Sequence, residues 1–264
     1  MVSGPADRQR AGKVKSLGLK ALKSKPLKRA PEGRRIYAVG DVHGRVDLLD
    51  RLLAAIVRDA ADFDGAPTLV FLGDYVDRGL QGRAVLDRLV ALQENPAFET
   101  RFLKGNHEAA LLEFLKKPSG GAAWLTFGGA ETLYSYGVQA PSAVPSPEEL
   151  RRASQALNMA LPRPHLAFLK ELELVARFGD YVFVHAGLRP GKTFEEQVED
   201  DMLNIRESFL NSRRKWPFVV VHGHTPEDGV HIDQRRIGVD TGAYATGKLS
   251  AVRLEGAEVS VIST

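Results

Sequence analysis

An α/β fold with parallel strand pairs is what this sequence predicts, on three observations. Strand-sized apolar runs alternate three times with amphipathic helical stretches from residue 35 onward, the order that builds parallel strands joined by crossover helices. Each of those runs ends in glycine followed by a polar side chain. At 264 residues and 44% hydrophobic composition the chain can bury a sizeable core within a single domain.

The elements follow in order. "RRIYAVGD" is the first apolar run, and "VDLLDRLLAAIVRDA" is a helix with Leu48, Leu49, Leu52, Leu53 and Ile56 on one side. "APTLVFLGD" and "GRAVLDRLVALQ" repeat the pair, and "TRFLKGNHE" with "AALLEFL" repeats it again. Residues 116–165 are rich in Gly, Pro and Ser, with helices expected near 131–136 and 147–160. They read as a helical insertion over one end of the sheet, a lid. "LELVARFG" and "DYVFVHAG" read as strands joined by a Gly-Asp turn. One helix, "EEQVEDDMLNIRESFL", and a strand, "PFVVVHGHT", follow, and the C-terminal segments alternate at period two as antiparallel strands.

Charge divides the chain at the same point. Residues 1–35 hold 11 Lys/Arg against 2 Asp/Glu, so the net +3 hides a basic leader and an acidic body. Residues 1–34 are expected to be a solvated basic leader and 35–264 a catalytic domain. "VKSLGLKALKSKPLKRAP" has the pattern of a short amphipathic helix with Val14, Leu17, Ala21 and Leu22 on one side. It offers contact with an anionic membrane surface or an acidic partner, whereas no stable nucleic-acid complex is expected. The leader lacks the apolar core of a secretory signal and the chain has no cysteine, so the expected location is the cytoplasm. Without cysteine, any metal must be held by His, Asp, Glu or Asn.

Polar groups recur at five strand ends: Asp41 and His43 in "GDVHG", Asp74 in "GDYVDRG", Asn106 and His107 in "GNHE", His185 in "VHAG" and His224 in "HGHT". Sites in open α/β sheets form outside the carboxyl ends of strands, so these ends should meet in one cleft. A lone histidine at a strand end is an ordinary turn residue; five glycine-flanked ends in sequence are not. Apart from His107 the set is three imidazoles, two carboxylates and an amide oxygen. That mixture suits Mn, Fe, Zn or Ni better than Mg or Ca. Six donors are too many for one tetrahedral ion and suit two ions sharing one carboxylate. Such a pair clamps the oxygens of a phosphate ester and activates a bridging water for in-line attack on phosphorus. His107, next to Asn106, cannot aim at the same ion without strain, so it is free to act as general acid. Asp77 is the carboxylate expected on its other nitrogen, and Arg78 offers a planar fork for phosphate oxygens.

The five motifs resemble the PPP-type phosphoprotein phosphatases of the calcineurin-like metallophosphoesterase superfamily, most closely the bacterial and bacteriophage-type members. The resemblance runs from about residue 35 to 255. It implies a β-sandwich flanked by helices in four layers, with a helical insertion over the active-site end. It also implies that Asp41, His43 and Asp74 hold one ion, that Asp74, Asn106, His185 and His224 hold a second, and that manganese is the leading candidate. His107 and Asp77 match the family's acid and its orienting carboxylate, and Arg78 a phosphate-binding arginine. "LNIRESFL" resembles the segment that supplies another, which promotes Arg206 from an ordinary surface charge.

The chain departs from eukaryotic members in reading "HAG" for "HGG" and "VDTGAY" for "SAPNY", so their regulatory-subunit recognition does not transfer. Asn204 stands where bacterial-type relatives often have an aromatic. "GHT" lacks the second histidine of nuclease and phosphodiesterase branches.

Among the remaining residues, His222 reads as packing, His165 and His231 as structural or solvated, Asp240 as a turn residue or outer acceptor, and Trp124 and Phe127 as core or lid lining. The expected activity is hydrolysis of phosphomonoesters on proteins, at Ser/Thr and at Tyr. The enzymatic alternative is a nucleotide hydrolase such as a symmetrical diadenosine tetraphosphatase, whose relatives often lack the carboxylate at Asp77. A metal-bound scaffold without activity is the third reading.

Overall fold

The computed structural model describes Met1 and residues 28–264, so the expected leader helix lies outside the described residues. Strand β1 (Arg35–Val39), helix α1 (Val46–Asp59), β2 (Thr68–Phe71), α2 (Gly82–Gln93), β3 (Glu99–Phe102) and α3 (Asn106–Lys116) are the three expected β-then-α units. They place β1, β2 and β3 side by side and parallel. Two antiparallel C-terminal strands, β9 (Ser250–Glu255) and β10 (Glu258–Ser263), extend the sheet on the other side of β1.

A second sheet contains β4 (Val175–Phe178), β5 (Tyr181–Val184), β6 (Val219–His222), β7 (His231–Ile232) and β8 (Arg236–Gly238) in the order β4-β5-β6-β8-β7. The Gly179-Asp180 turn makes β4 and β5 an antiparallel hairpin, while β5, β6 and β8 run parallel. β7 meets β8 in the antiparallel sense read from the sequence.

The two sheets face each other. On β1, Ile36 and Ala38 point into the space between them, with Val70, Phe183, Val221 and Val252. Tyr37 and Val39 point the other way, to Leu49, Leu52 and Leu86 of α1 and α2. This period-two split puts apolar residues on both faces of the first sheet, which is why its strands read as continuous apolar runs. Val182, Val184 and Val220 cover the outer face of the second sheet against Met202 and Phe209. The result is four layers, helix–sheet–sheet–helix, the sandwich the motifs imply. No helix among the described residues is long and apolar enough to cross a membrane.

Between α3 and β4 lie α4 (Gly121–Trp124), α5 (Ala130–Ser135), α6 (Pro147–Ala160) and α7 (Arg163–Glu171). Ser146 caps α6 reciprocally with Glu149, a capping box legible in "SPEE". A wide π-helical turn, Leu125–Gly129, joins α4 to α5 and breaks at Gly128, where φ is +111°.

One element differs from expectation. The stretch 195–210 is not a single helix but two short ones, α8 (Glu199–Asn204) and α9 (Glu207–Leu210). Ile205 turns extended and Arg206 adopts φ −128°, ψ −106°. The carbonyl of Met202 is taken by the backbone N–H of Ala186 at 2.8 Å, so the end of α8 is tied to the loop after β5. The break turns the Arg206 side chain inward. The last helix, α10 (Ala243–Thr246), sits between two left-handed glycines, Gly242 and Gly247.

Candidate active site

The carboxyl ends of β1, β2 and β3 from one sheet and of β5 and β6 from the other converge at one edge of the sandwich. Among the described residues, every non-glycine residue with positive φ lies here: His43, Asp74, Asp77, Arg78 and His224, at φ between 45° and 68°. Left-handed backbone costs about 1 kcal/mol or more per residue outside glycine. Five such residues at one edge mark where the fold holds strain for the sake of aim. Gly73, at φ +104°, has no room for a side chain: a Cβ would stand 2.6 Å from Gly105 N and 2.9 Å from His185 Nδ1.

Asp74 is the hub. Its Oδ2 lies 3.4 Å from His185 Nε2, 3.5 Å from His43 Nε2 and 3.8 Å from His107 Nε2. Burial pushes this carboxyl up, but the surrounding imidazoles, His185 first, hold it well below the usual carboxylate range.

On one side, Asn106 Oδ1 lies 2.9 Å from both His185 Nε2 and His224 Nδ1, which are 3.1 Å from each other. On the other, His43, Asp74 and His107 bring donor atoms within 4.8 Å of one another. The tautomers are set from behind. His43 Nδ1 donates to the Val76 carbonyl at 2.9 Å and His185 Nδ1 to the Leu72 carbonyl at 2.8 Å, which leaves each Nε2 with a bare lone pair facing the site. Burial first of all lowers His43 to about 4 and His224 to about 3, and lowers His185 as well. All three imidazoles are therefore neutral at pH 7, the form that binds metal.

These donors fit divalent ions on two grounds. Acceptor atoms 2.9–3.4 Å apart around one point are spaced as the edges of a shell whose bonds are about 2.1 Å long. Asp41, Asp74, Asp77, Glu108 and Asp240 are all buried, at most 5% exposed, a carboxylate excess that calls for a cation. Burial and the neighbouring Asp240 raise Asp41 well above its ordinary value, and burial lifts Asp240 to about 6.

Asp41, expected among the ligands, accepts the backbone N–H of His224 at 2.9 and 3.1 Å. It is tied to the opposite sheet as well as facing the carboxylate cluster. Asp240 serves its turn, accepting Gly242 N–H at 2.8 Å.

His107 Nδ1 donates to Asp77 Oδ2 at 2.7 Å. Burial pulls the imidazole down, but the charges of Asp74 and Asp77 leave it above its ordinary value. Arg78 Nη1 donates to the Tyr244 hydroxyl at 2.5 Å, with its guanidinium 4.6 Å from that ring. Arg206 Nη1 donates to the His224 carbonyl and to Thr225 Oγ1, each at 3.1 Å. A cavity of about 670 Å³ opens here, lined by Arg78, Asn106, His107, Arg206, His224 and, farther out, Phe127.

The candidate ligands Asp41, His43, Asp74, Asn106, His185 and His224, together with His107, Asp77, Arg78 and Arg206, lie at this edge. His222 does not join it: its ring bonds Gly223 and Arg236 and packs on Phe209. His165 pairs with Tyr136 and Asp87.

Three contributors have no signature in the sequence. Glu108, fully buried, accepts the backbone N–H groups of Asp74, Tyr75, Val76 and Gly105 at 2.7–3.2 Å, and so shapes the turn that aims Asp74. Its place directly after Asn106 and His107 was the only available hint. Trp124 Nε1 and Thr132 Oγ1 both donate to Asp77, at 2.9 and 2.5 Å.

The family model described as calcineurin-like phosphoesterase matches residues 34–255. The chain is a calcineurin-like phosphoesterase. As a member of that family it is a metallophosphoesterase hydrolase that works with divalent metal. It is 27% identical over 250 residues to a bis(5'-nucleosyl)-tetraphosphatase PrpE (asymmetrical) of Bacillus velezensis, covering 86% of this chain and 92% of that one. It is 26% identical over 233 residues to serine/threonine-protein phosphatase 2 of Escherichia coli K12, covering 84% and 94%. Among solved structures it resembles a cold-active protein-tyrosine phosphatase of a Shewanella species, with TM-score 0.51, 16% identity and coverage of 90% and 82%, a likeness of fold.

Proposed function

We propose that this phosphoesterase hydrolyses phosphomonoesters on proteins. The observation that carries this reading is the His107–Asp77 pair, 2.7 Å apart, with His107 lining the cavity. Cleaving a phosphoserine, phosphothreonine or phosphotyrosine expels an alkoxide or phenoxide, which leaves well only if protonated. Cleaving a phosphoanhydride expels a phosphate group that is already a stable anion. A built proton donor therefore favours esters over anhydrides.

In this reading Asp41, His43 and Asp74 would hold one divalent ion, manganese first among the candidates, and Asp74, Asn106, His185 and His224 a second. The chemistry such ions supply when bound is polarisation of the phosphoryl oxygens and activation of water. The protein's own groups do the rest. Arg78 and Arg206, both half-buried at the cavity wall, bind phosphoryl oxygens. As water adds to phosphorus and the bond to the leaving oxygen breaks, His107 passes its Nε2 proton to that oxygen. Asp77 keeps the ring aligned and stabilises its charged form.

A second reading, hydrolysis of dinucleoside polyphosphates, is favoured by the Bacillus relative, a bis(5'-nucleosyl)-tetraphosphatase. The two separate in one assay: purified protein with manganese is given a phosphopeptide panel and diadenosine tetraphosphate. Faster turnover of the phosphopeptides is expected; turnover of the dinucleotide faster by orders of magnitude would overturn the proposal.

A further inference from the structure

We propose that Trp124 and Thr132 are positioning residues that hold Asp77, and through it His107, so that the helical insertion sets the aim of the proton donor. The inference rests on the reading of His107 as general acid.

Asp77 is completely buried, and both of its carboxylate oxygens are used. Oδ2 accepts from His107 Nδ1 at 2.7 Å and from Trp124 Nε1 at 2.9 Å, and Oδ1 accepts from Thr132 Oγ1 at 2.5 Å. The Thr132 hydroxyl in turn accepts the backbone N–H of Asp77 at 2.9 Å. Gly128, between the two, accepts the backbone N–H of Arg78 at 3.2 Å. Four hydrogen bonds therefore run from residues 124–132 to the Asp77–Arg78 pair, both of which sit at positive φ.

The chain conformation is needed for this. In a straight α-helix, residues eight apart are about 12 Å apart along the axis, too far for both side chains to reach one carboxylate. The wide turn Leu125–Gly129 and its break at Gly128 fold the run back on itself. A Cβ on Gly128 would collide with the backbone of Arg78, and one on Gly129 with the Trp124 indole. The indole is also packed 4.6 Å from Phe114 of α3, the helix that carries His107 near its start. With donors on both of its oxygens, three in all, the carboxylate plane is held against rotation, and the imidazole bonded to it is held with Nε2 toward the cavity. Removing either donor leaves Asp77 free to turn and the His107 ring free to follow.

A proton donor that is out of line harms only reactions that need the proton. The test compares two substrates on manganese-loaded enzyme: phenyl phosphate, whose leaving phenol resembles a tyrosine with a pKa of about 10, and 2,4-dinitrophenyl phosphate, whose leaving phenoxide needs none. Thr132→Val and Trp124→Phe should each lower kcat on phenyl phosphate by about tenfold, part of the 10²–10⁴ of a general acid. On dinitrophenyl phosphate they should change it by less than about twofold, with KM and manganese content as in wild type. Thr132→Ser, which keeps the hydroxyl, should restore the phenyl phosphate rate, and His107→Asn should show the same selectivity more strongly. Equal losses on both substrates, or no loss on either, would overturn the proposal alone. A wild-type enzyme inert on both esters would overturn the phosphomonoesterase reading and the proposal with it.

Discussion

The two sides of Asp74 are built differently. Toward the second sheet, the Asn106 amide oxygen and the His185 and His224 imidazoles crowd to 2.9–3.1 Å. Toward the first, His43 and His107 stand 3.5 and 3.8 Å from the same carboxylate oxygen, and His107 is bonded to Asp77 on its far nitrogen. In the proposed reading one side is a shell of ligands and nothing else, and the other mixes a ligand with a proton donor. The difference teaches that one carboxylate can serve both tasks because its two neighbours on the open side are held from behind, His43 by a backbone carbonyl and His107 by a carboxylate. The first bond leaves a lone pair at Nε2; the second favours a proton there.

The largest expected effect comes from removing what the two sides share. Asp74→Asn should lower phosphatase activity by about four orders of magnitude, on the scale seen when a group acting as part of a unit is lost. Bound manganese, read by elemental analysis, should fall on both sides. Full manganese content in that variant would show that the sides do not depend on a common carboxylate.

A smaller effect separates binding from chemistry. Arg206 reaches the cavity only because α8 and α9 are separate helices. Arg206→Ala should raise KM for a phosphopeptide about tenfold, near the value of one charged hydrogen bond, with kcat changed much less. A loss confined to kcat would move Arg206 from substrate binding to chemistry.

The smallest effect concerns stability on the crowded side. Burial lowers His224 to about 3 in the folded protein, against about 6.5 unfolded. A group with a depressed folded value contributes stability that is present above pH 6.5 and is lost as pH falls toward 3. In excess chelator, the stability of the wild type relative to His224→Gln should therefore decline between pH 7 and pH 4, by on the order of 2 kcal/mol. Urea midpoints measured at each pH decide the matter, and a difference that does not vary with pH would contradict it.

What the sequence could disclose follows the same division. The proposed ligands stand at strand ends flanked by glycine, and local spacing points to them: "GDVHG", "GDYVDRG" and "GNHE" each carry strand, turn and donor within a few residues. The three β-then-α units were equally legible, because period-two and helical spacing are local properties. What supports the donors was not. Trp124 and Thr132 meet Asp77 across 47 and 55 residues, and nothing in "AAWLTFGGAET" points there. The break at Ile205–Arg206 was hidden because neither residue is a helix breaker; a tertiary bond to the Met202 carbonyl overrides propensity. Positive φ at Asp74 or Arg78 is likewise imposed by the fold rather than by residue type.

The most direct measurement is manganese content and phosphatase rate of His107→Asn, determined on the same preparation. His107 lies among the donor atoms around His43 and Asp74, so the geometry alone would admit it as a ligand. As the proton donor held by Asp77, it predicts manganese content equal to wild type and a rate lower by 10²–10⁴. Lost manganese would make His107 a ligand instead, and an unchanged rate would remove it from the chemistry.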